Sequence, residues 1–401
     1  MNTNLNTDQS LEKTIEPPKS SLGVFGWLKK NLFSNWYNSI LTIISVIALF
    51  YIVKGVFSFV FISAQWSVIS ENYRLFMVGQ YTKAEIWRVW SCLGVVSLLF
   101  GLSAGIWKGT ARHMSVLLSV ILLIHMLVPF TSGTAKMWLG INIGIVVFGY
   151  FLAPFIPKNK IITIAGWFLS FPFTIFLLNG FGVFSTVKTN VWGGLLLTLL
   201  ISVVAIVVSF PIGILLALGR TSNLPIVKYF CIAYIEIIRG VPLITVFFMA
   251  QLMIPLFLPE GLEINNVLRV MIGATLFTAA YMAENVRGGL QSIPSGQFEA
   301  AKAIGLNGPQ AMTFIIMPQA LRAIIPAIVG QSISMFKDTS LVAIVGLIDL
   351  LGIAQTVISN PDFLGRQMEV YMYIALLYWV IAYSMSYASR RMEKSLGVGE
   401  R

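Results

Sequence analysis

Ser295-Gly296-Gln297-Phe298-Glu299-Ala300-Ala301-Lys302-Ala303-Ile304-Gly305-Leu306, closing at Met317-Pro318-Gln319-Ala320, is a polar stretch in a chain that is otherwise mostly hydrocarbon. Ser295 is placed to cap a short helix, and Glu299 reads as part of its first turn, where a carboxylate suits the helix dipole. Gly305 can end that helix in a left-handed conformation. Asn307 can cap a second short helix, with Pro309 tolerated in its first turn. Pro318 works against simple continuation into the next apolar segment. The expected shape is helix, Gly turn, helix, with small residues at Ala300, Ala301 and Ala303 and knobs at Phe298 and Ile304. Such a shape can dock into a cleft of another protein.

The rest of the chain sets the solvent. Of 401 residues, 57% are hydrophobic and only 11% charged, too little polar surface for a soluble domain of this length. Apolar runs approaching or exceeding about 20 residues recur along its whole length, which is the pattern of an all-α polytopic membrane protein. The formal charge of +11 is spread between the apolar runs rather than clustered, so it gives no nucleic-acid footprint. Cys92 and Cys231 form no metal-ligand or disulfide pattern. His113 and His125 have no metal-ligand spacing, and neither is assigned a catalytic role.

About ten spans (eight to ten) are expected, near 39–61, 91–107, 115–130, 137–153, 161–179, 191–218, 232–258, 268–283, 320–358 and 370–389. The ninth is too long for one crossing and contains Pro326, Gly330 and Lys337-Asp338-Thr339-Ser340. It reads as a broken or re-entrant pair, tolerable where buried or lining a cavity. Residues 1–38 read as a cytosolic tail with an interfacial helix near 25–33, preceded by no cleaved signal peptide. Residues 39–185 form an extension of about five helices, rich in aromatic and aliphatic residues, with an interfacial set at Trp66, Tyr73, Tyr81, Trp87 and Trp90. Residues 186–395 form a second half with the polar loop at 284–319, and 396–401 a short tail. With both termini in the cytosol, sixteen Lys and Arg fall inside, seven outside and four within or at the ends of spans, completing the 27. That bias follows the positive-inside rule and puts the polar loop in the cytosol.

Four segments recur in a recognisable order. Glu236-Ile237-Ile238-Arg239-Gly240-Val241-Pro242-Leu243 comes first, then Ala280-Tyr281-Met282-Ala283-Glu284-Asn285-Val286-Arg287-Gly288. The loop with Glu299-Ala300-Ala301 and Gly305 follows, and then Lys337-Asp338-Thr339-Ser340-Leu341. Together they resemble the polar amino-acid branch (histidine/glutamine-type) of ABC-importer permeases, whose EAA loop is the coupling helix. The extra multispan first half, together with the run from Arg239 to Ala250 and Leu258-Pro259-Glu260-Gly261, is similar to the M-type permease of general L-amino-acid uptake systems. The resemblance is weaker over residues 1–185.

The resemblance implies a type I importer core in the last five helices, in a bacterial cytoplasmic (inner) membrane. It implies a permease for L-amino acids that seats on a dimer of ATP-binding subunits. A related Q-type permease and a periplasmic or tethered binding protein would complete the complex. The ATPase-coupling residues are then Ser295, Phe298, Glu299, Ala300, Ala301, Lys302, Ala303, Ile304, Gly305 and Pro318. ATP and Mg would be bound by the partner, and none by this chain.

The charged residues in the second half carry two readings. Glu236, Arg239 and Glu284 can form local ion pairs near the cytosolic interface, Arg239 three residues after Glu236 and Arg287 three after Glu284. Alternatively they line a polar pathway for a zwitterion. Lys337, Asp338, Thr339 and Ser340 are the stronger pathway candidates because they interrupt a long apolar run. Gly240-Val241-Pro242 and Pro211 mark kinks, either hinges or packing features.

No phosphate loop of the Gly-x-x-x-x-Gly-Lys-Ser/Thr type occurs in the sequence. No Ser-His-Asp or paired-carboxylate constellation points to chemistry on a substrate, so the chain reads as no enzyme in itself. The rival reading is a secondary transporter driven by an ion gradient, with Lys337–Ser340 as its site. The sequence carries no visible internal repeat to support it.

Overall fold

The structure, a computed structural model, describes residues 23–259, 261 and 263–397. Most of the expected amino-terminal tail, Glu260 of the Leu-Pro-Glu-Gly segment and the last four residues of the carboxy-terminal tail lie outside them. The chain divides into two compact units at Gln65/Trp66. The first contains α1 (Gly23–Asn31) and α2 (Trp36–Ser58), the latter continued by a π-helical segment, Phe59–Ser63. Thr42 Oγ1 donates to Leu32 O at 2.8 Å and fixes the turn between them.

The second unit begins with α3 (Ser67–Val78), a helix inside what reads in the sequence as the longest outside loop. Then come α4 (Ile86–Trp107), α5 (Gly109–Leu127), α6 (Gly133–Leu152) and α7 (Asn159–Asn179). Gly101 lets α4 and α6 meet backbone to backbone: a Cβ there would stand 2.2 Å from Val146 O. Small residues of this kind are how apolar helices associate in lipid, where hydrocarbon gives them no reason to leave the membrane. Tyr73, on α3, hydrogen-bonds His125 Nε2 at 2.6 Å, so this histidine is used structurally.

Next are α8 (Gly194–Arg220), α9 (Pro225–Gly240), α10 (Leu243–Leu252), α11 (Ile254–Phe257) and α12 (Asn266–Gln291). Pro211 lies inside α8 without dividing it into separate helices. The other marked kink is a sharp one. Pro242 favours an extended Val241 (φ −105, ψ 135), and here α9 stops at Gly240 and α10 restarts at a bend of 107°. The loop segment follows as α13 (Ser295–Ala303), α14 (Gly308–Ala311) and α15 (Met317–Ala323), and then α16 (Ile325–Asp338), α17 (Leu350–Ile358) and α18 (Gln367–Leu396).

Among the described residues, nine helical stretches are long and apolar enough to cross a membrane, or ten with the bent α9–α10 pair as one crossing. The fold is the all-α polytopic one expected from composition. The broken pair, however, is α9–α10. The overlong ninth run resolves instead into one crossing, 325–345, and the separate short α17. Its α-helix tightens to a 3₁₀ segment at Thr339–Val345, and Gly346 (φ +83) turns the chain.

Candidate functional site

The segment 292–324 is a hairpin of short helices joined to the end of α12. Three local expectations are met: Gly305 adopts φ +81, Asn307 caps α14 with Gln310 completing a capping box, and Pro309 sits in the first turn. Three need correction. Pro294, not Ser295, is the N-cap of α13, so Ser295 opens the helix and Glu299 falls beyond the first turn. Pro318 does not stop the chain, because a π-helical segment, Met312–Ile316, leads directly into α15 and absorbs the missing N–H. The true break is at Ile324, with Pro326 in the first turn of α16.

Inside the hairpin, Ala301, Ala311, Ile316 and Ala320 are buried, and Gln319 Nε2 donates to Gln297 Oε1 at 3.1 Å. Outside it, Phe298, Ile304 and Phe314 are exposed, Ile304 at 71% and Phe314 at 67%. Glu299, Ala300, Lys302 and Ala303 are also on the surface. Phe314 was not singled out in the sequence because an isolated Phe beside Ile315-Ile316 looks like core. Gly289 locks the hairpin to α12: a Cβ there would lie 2.5 Å from Ile324 Cγ2 and 2.9 Å from Ala320 O. The hairpin therefore packs on α12 through backbone contact.

At the same end of α12, five charged side chains meet. Arg220 Nη1, at the last residue of α8, bonds Glu236 Oε1 at 2.9 Å and lies 3.6 Å from Glu284 Oε2. Arg239 Nη1 is 3.7 Å from Glu284 Oε2, and Arg287 pairs with Glu284 one turn away. The expected Glu284–Arg287 pair is present. Arg239 reaches across to Glu284 instead of back to Glu236, and Arg220 takes its place. Each carboxylate is already engaged by guanidinium, which favours the local ion-pair reading over a vacant ammonium site.

Glu284 carries more of this network than Glu236. It holds three arginines and its side chain is 23% exposed, whereas Glu236, 52% exposed, is in salt-bridge contact with Arg220 alone among the described residues. Glu284→Gln is expected to cost roughly 1–3 kcal/mol because it leaves three cations facing one another. Glu236→Gln should cost at most about 1 kcal/mol. Thermal unfolding of the purified protein in detergent checks this, and equal losses would refute the ranking.

Lys337, Asp338, Thr339 and Ser340 do not join that network. They lie at the far end of α16, about 20 Å along the helix from Ile325. Lys337 is exposed and Asp338 half-buried, with no salt bridge between them among the described residues. Thr339 is fully buried and its hydroxyl donates to Phe336 O at 2.7 Å. Near the same end of α16, beyond the 3₁₀ segment, lies Asp349, an acid that sequence reading passed over. It is fully buried, accepts from Gly352 N at 2.9 Å as the cap of α17, and receives Tyr378 OH at 3.3 Å. Burial pushes its carboxyl up to about 6, against the opposing pull of the Gly352 N–H.

A cavity of about 900 Å³ opens beside the first turn of α12, lined by Lys188, Trp192, Glu263, Asn265, Arg269 and Ile348 among others. Arg269 is held by Gln251 O and Asn266. From Arg269 to Glu284 the helix rises about 22 Å, so α12 runs from this cavity past the ion network to the hairpin.

A profile described as "Binding-protein-dependent transport system inner membrane component" matches residues 209–398. The chain is 37% identical over 376 residues to the inner membrane amino-acid ABC transporter permease protein YhdY of Escherichia coli K12, covering 93% of each chain. It is 35% identical over 417 residues to the glutamate/glutamine/aspartate/asparagine transport system permease protein BztC of Rhodobacter capsulatus, covering 94% of this chain and 95% of the relative. A crystal structure of an amino acid ABC transporter with histidines is 30% identical with a TM-score of 0.46, over 50% of this chain and 92% of the other.

Proposed function

Because the chain belongs to the binding-protein-dependent transport system inner membrane components, among the amino-acid ABC transporter permeases, we propose that it forms the membrane pathway for L-amino acids. The energy would come from ATP and Mg bound on separate subunits. The observation that carries the coupling part is the hairpin 292–324. It exposes Phe298, Ile304 and Phe314 to a partner and is fused to α12, which runs from the ion network to the outer cavity.

In this reading the hairpin and both termini face the cytosol, and a dimer of ATP-binding subunits grips the hairpin. When that dimer closes, α12 is carried with it through the Gly289 contact. The Arg220–Glu236–Glu284–Arg239–Arg287 cluster ties α12 to α8 and α9, so the three helix ends move together. The bend at Val241-Pro242 then concentrates the motion between α9 and α10. A binding protein on the opposite side supplies substrate at the outer cavity, where Lys188 and Arg269 suit a carboxylate and Glu263 an ammonium. Asp338 and Ser340 lie further along the path. A second, related permease completes the channel.

Reconstitution tests this. Liposomes holding this chain, a paralogous permease, ATP-binding subunits and a binding protein are expected to accumulate amino acids only with internal ATP. Uptake driven by an ion gradient with the ATP-binding subunits absent would overturn the reading in favour of a secondary transporter.

A further inference from the structure

We propose that the groove between α5 and α6 is a site for one anionic phospholipid of the leaflet on the hairpin side. The groove, about 380 Å³, is walled by Val116, Val120, Leu123, Ile143 and Val147, with Arg112 and Tyr150 at one end.

Its depth matches one leaflet. Arg112 to Leu123 is eleven residues of helix, about 16 Å, close to half of the roughly 30 Å hydrocarbon thickness. A transmembrane helix from another protein would ask for a groove through both leaflets, whereas one acyl chain needs only this length. The wall is apolar despite two serines. Ser115 Oγ donates to Phe100 O at 2.6 Å, and Ser119 Oγ to Ser115 O at 2.9 Å, so neither hydroxyl is left to face the groove.

The end of the groove is cationic without compensation. Arg112 is exposed, its Nη2 donates to Tyr150 OH at 2.6 Å, and no salt bridge reaches it among the described residues. No Asp or Glu occurs anywhere between Glu85 and Glu236. Lys108, also exposed, stands four residues earlier. Tyr150 holds the guanidinium over its ring, 5.3 Å from the centroid, and the remaining donors of Arg112 have no side-chain partner among the described residues. A planar fork of N–H groups over an apolar slot recognises a phosphodiester with its acyl chain.

With α9–α10 counted as one crossing, six crossings separate the α4–α5 turn from the hairpin, so both fall on the same side. That this side is cytosolic rests on the function proposed above. The lipid assay does not use ATP turnover, so a failed coupling reading would change the assigned leaflet and leave the headgroup preference standing.

The test is native mass spectrometry of the detergent-purified full complex, challenged with equal phosphatidylglycerol and phosphatidylcholine. Wild type is expected to retain phosphatidylglycerol about tenfold over phosphatidylcholine, the worth of one charge-assisted contact. Arg112→Gln should bring the ratio near one, and Val120→Trp, which fills the slot, should remove both lipids. No preference in wild type, or an undiminished preference in Arg112→Gln, would overturn the proposal. So would a photo-crosslinker at position 120 that captures protein instead of lipid.

Discussion

Phe298→Asp combined with Phe314→Asp is expected to release the ATP-binding subunits from the complex. Full burial of a Phe side chain is worth about 1.5–3 kcal/mol, and a carboxylate in its place must also be desolvated. Together the two changes should weaken association by roughly a hundredfold to ten-thousandfold. Both side chains are already exposed, so the permease itself should lose little stability. Gly305→Leu probes the same site without touching the apolar contacts. At φ +81 a leucine is strained by about 1–2 kcal/mol, which should distort the hairpin and give an intermediate loss. Co-purification of the ATP-binding subunits and substrate-stimulated ATP hydrolysis are the readouts. Wild-type values for the double variant would remove the hairpin as the coupling element.

Arg88→Ala is expected to destabilise the fold strongly. Arg88 is 1% exposed in the first turn of α4. Its Nη1 donates to Ser185 O and its Nη2 to Ser185 Oγ, both at 2.9 Å, while Glu85 lies 2.8 Å away. The rings of Trp87 and Phe184 flank the guanidinium at 5.7 and 5.3 Å. Truncation leaves a cavity and strips the Ser185 carbonyl of its donor, for a combined cost of roughly 3–5 kcal/mol. This arginine ties the loop after α7, which leads into α8, to α4. Glu85→Gln should do far less, because that side chain keeps contact with water. Thermal unfolding and limited proteolysis in the 180–193 loop report the difference. If Arg88→Ala unfolds with the wild-type midpoint, the guanidinium is not what holds the loop.

Several features were legible in the sequence because their causes are local. The length of each apolar run is set by bilayer thickness. The turn at Gly305 follows from glycine's freedom at positive φ, the cap at Asn307 from its side-chain oxygen, and the bend at α9–α10 from Pro242. Even there, a one-residue shift moved the cap from Ser295 to Pro294 and took Glu299 out of the first turn. The structure also exchanged the broken span, because Lys337-Asp338-Thr339-Ser340 sits at a helix end that hydrogen bonds can satisfy, whereas Val241 before Pro242 takes the extended conformation that a following proline favours.

What the sequence determined by itself, then, is a membrane-spanning bundle with one cytosol-compatible hairpin, since backbone satisfaction and hydrocarbon length act on contiguous residues. Only the tertiary structure decided which charges meet. Arg220 reaches Glu236 and Glu284, Arg88 reaches Ser185 across 97 positions, and Asp349 is sealed between α8, α17 and α18. A linear reading offers a charge its neighbours three or four residues away. The partner a charge takes is decided by which helix faces pack together, and that depends on small residues such as Gly101 and Gly289 whose importance appears only when a second backbone lies against them.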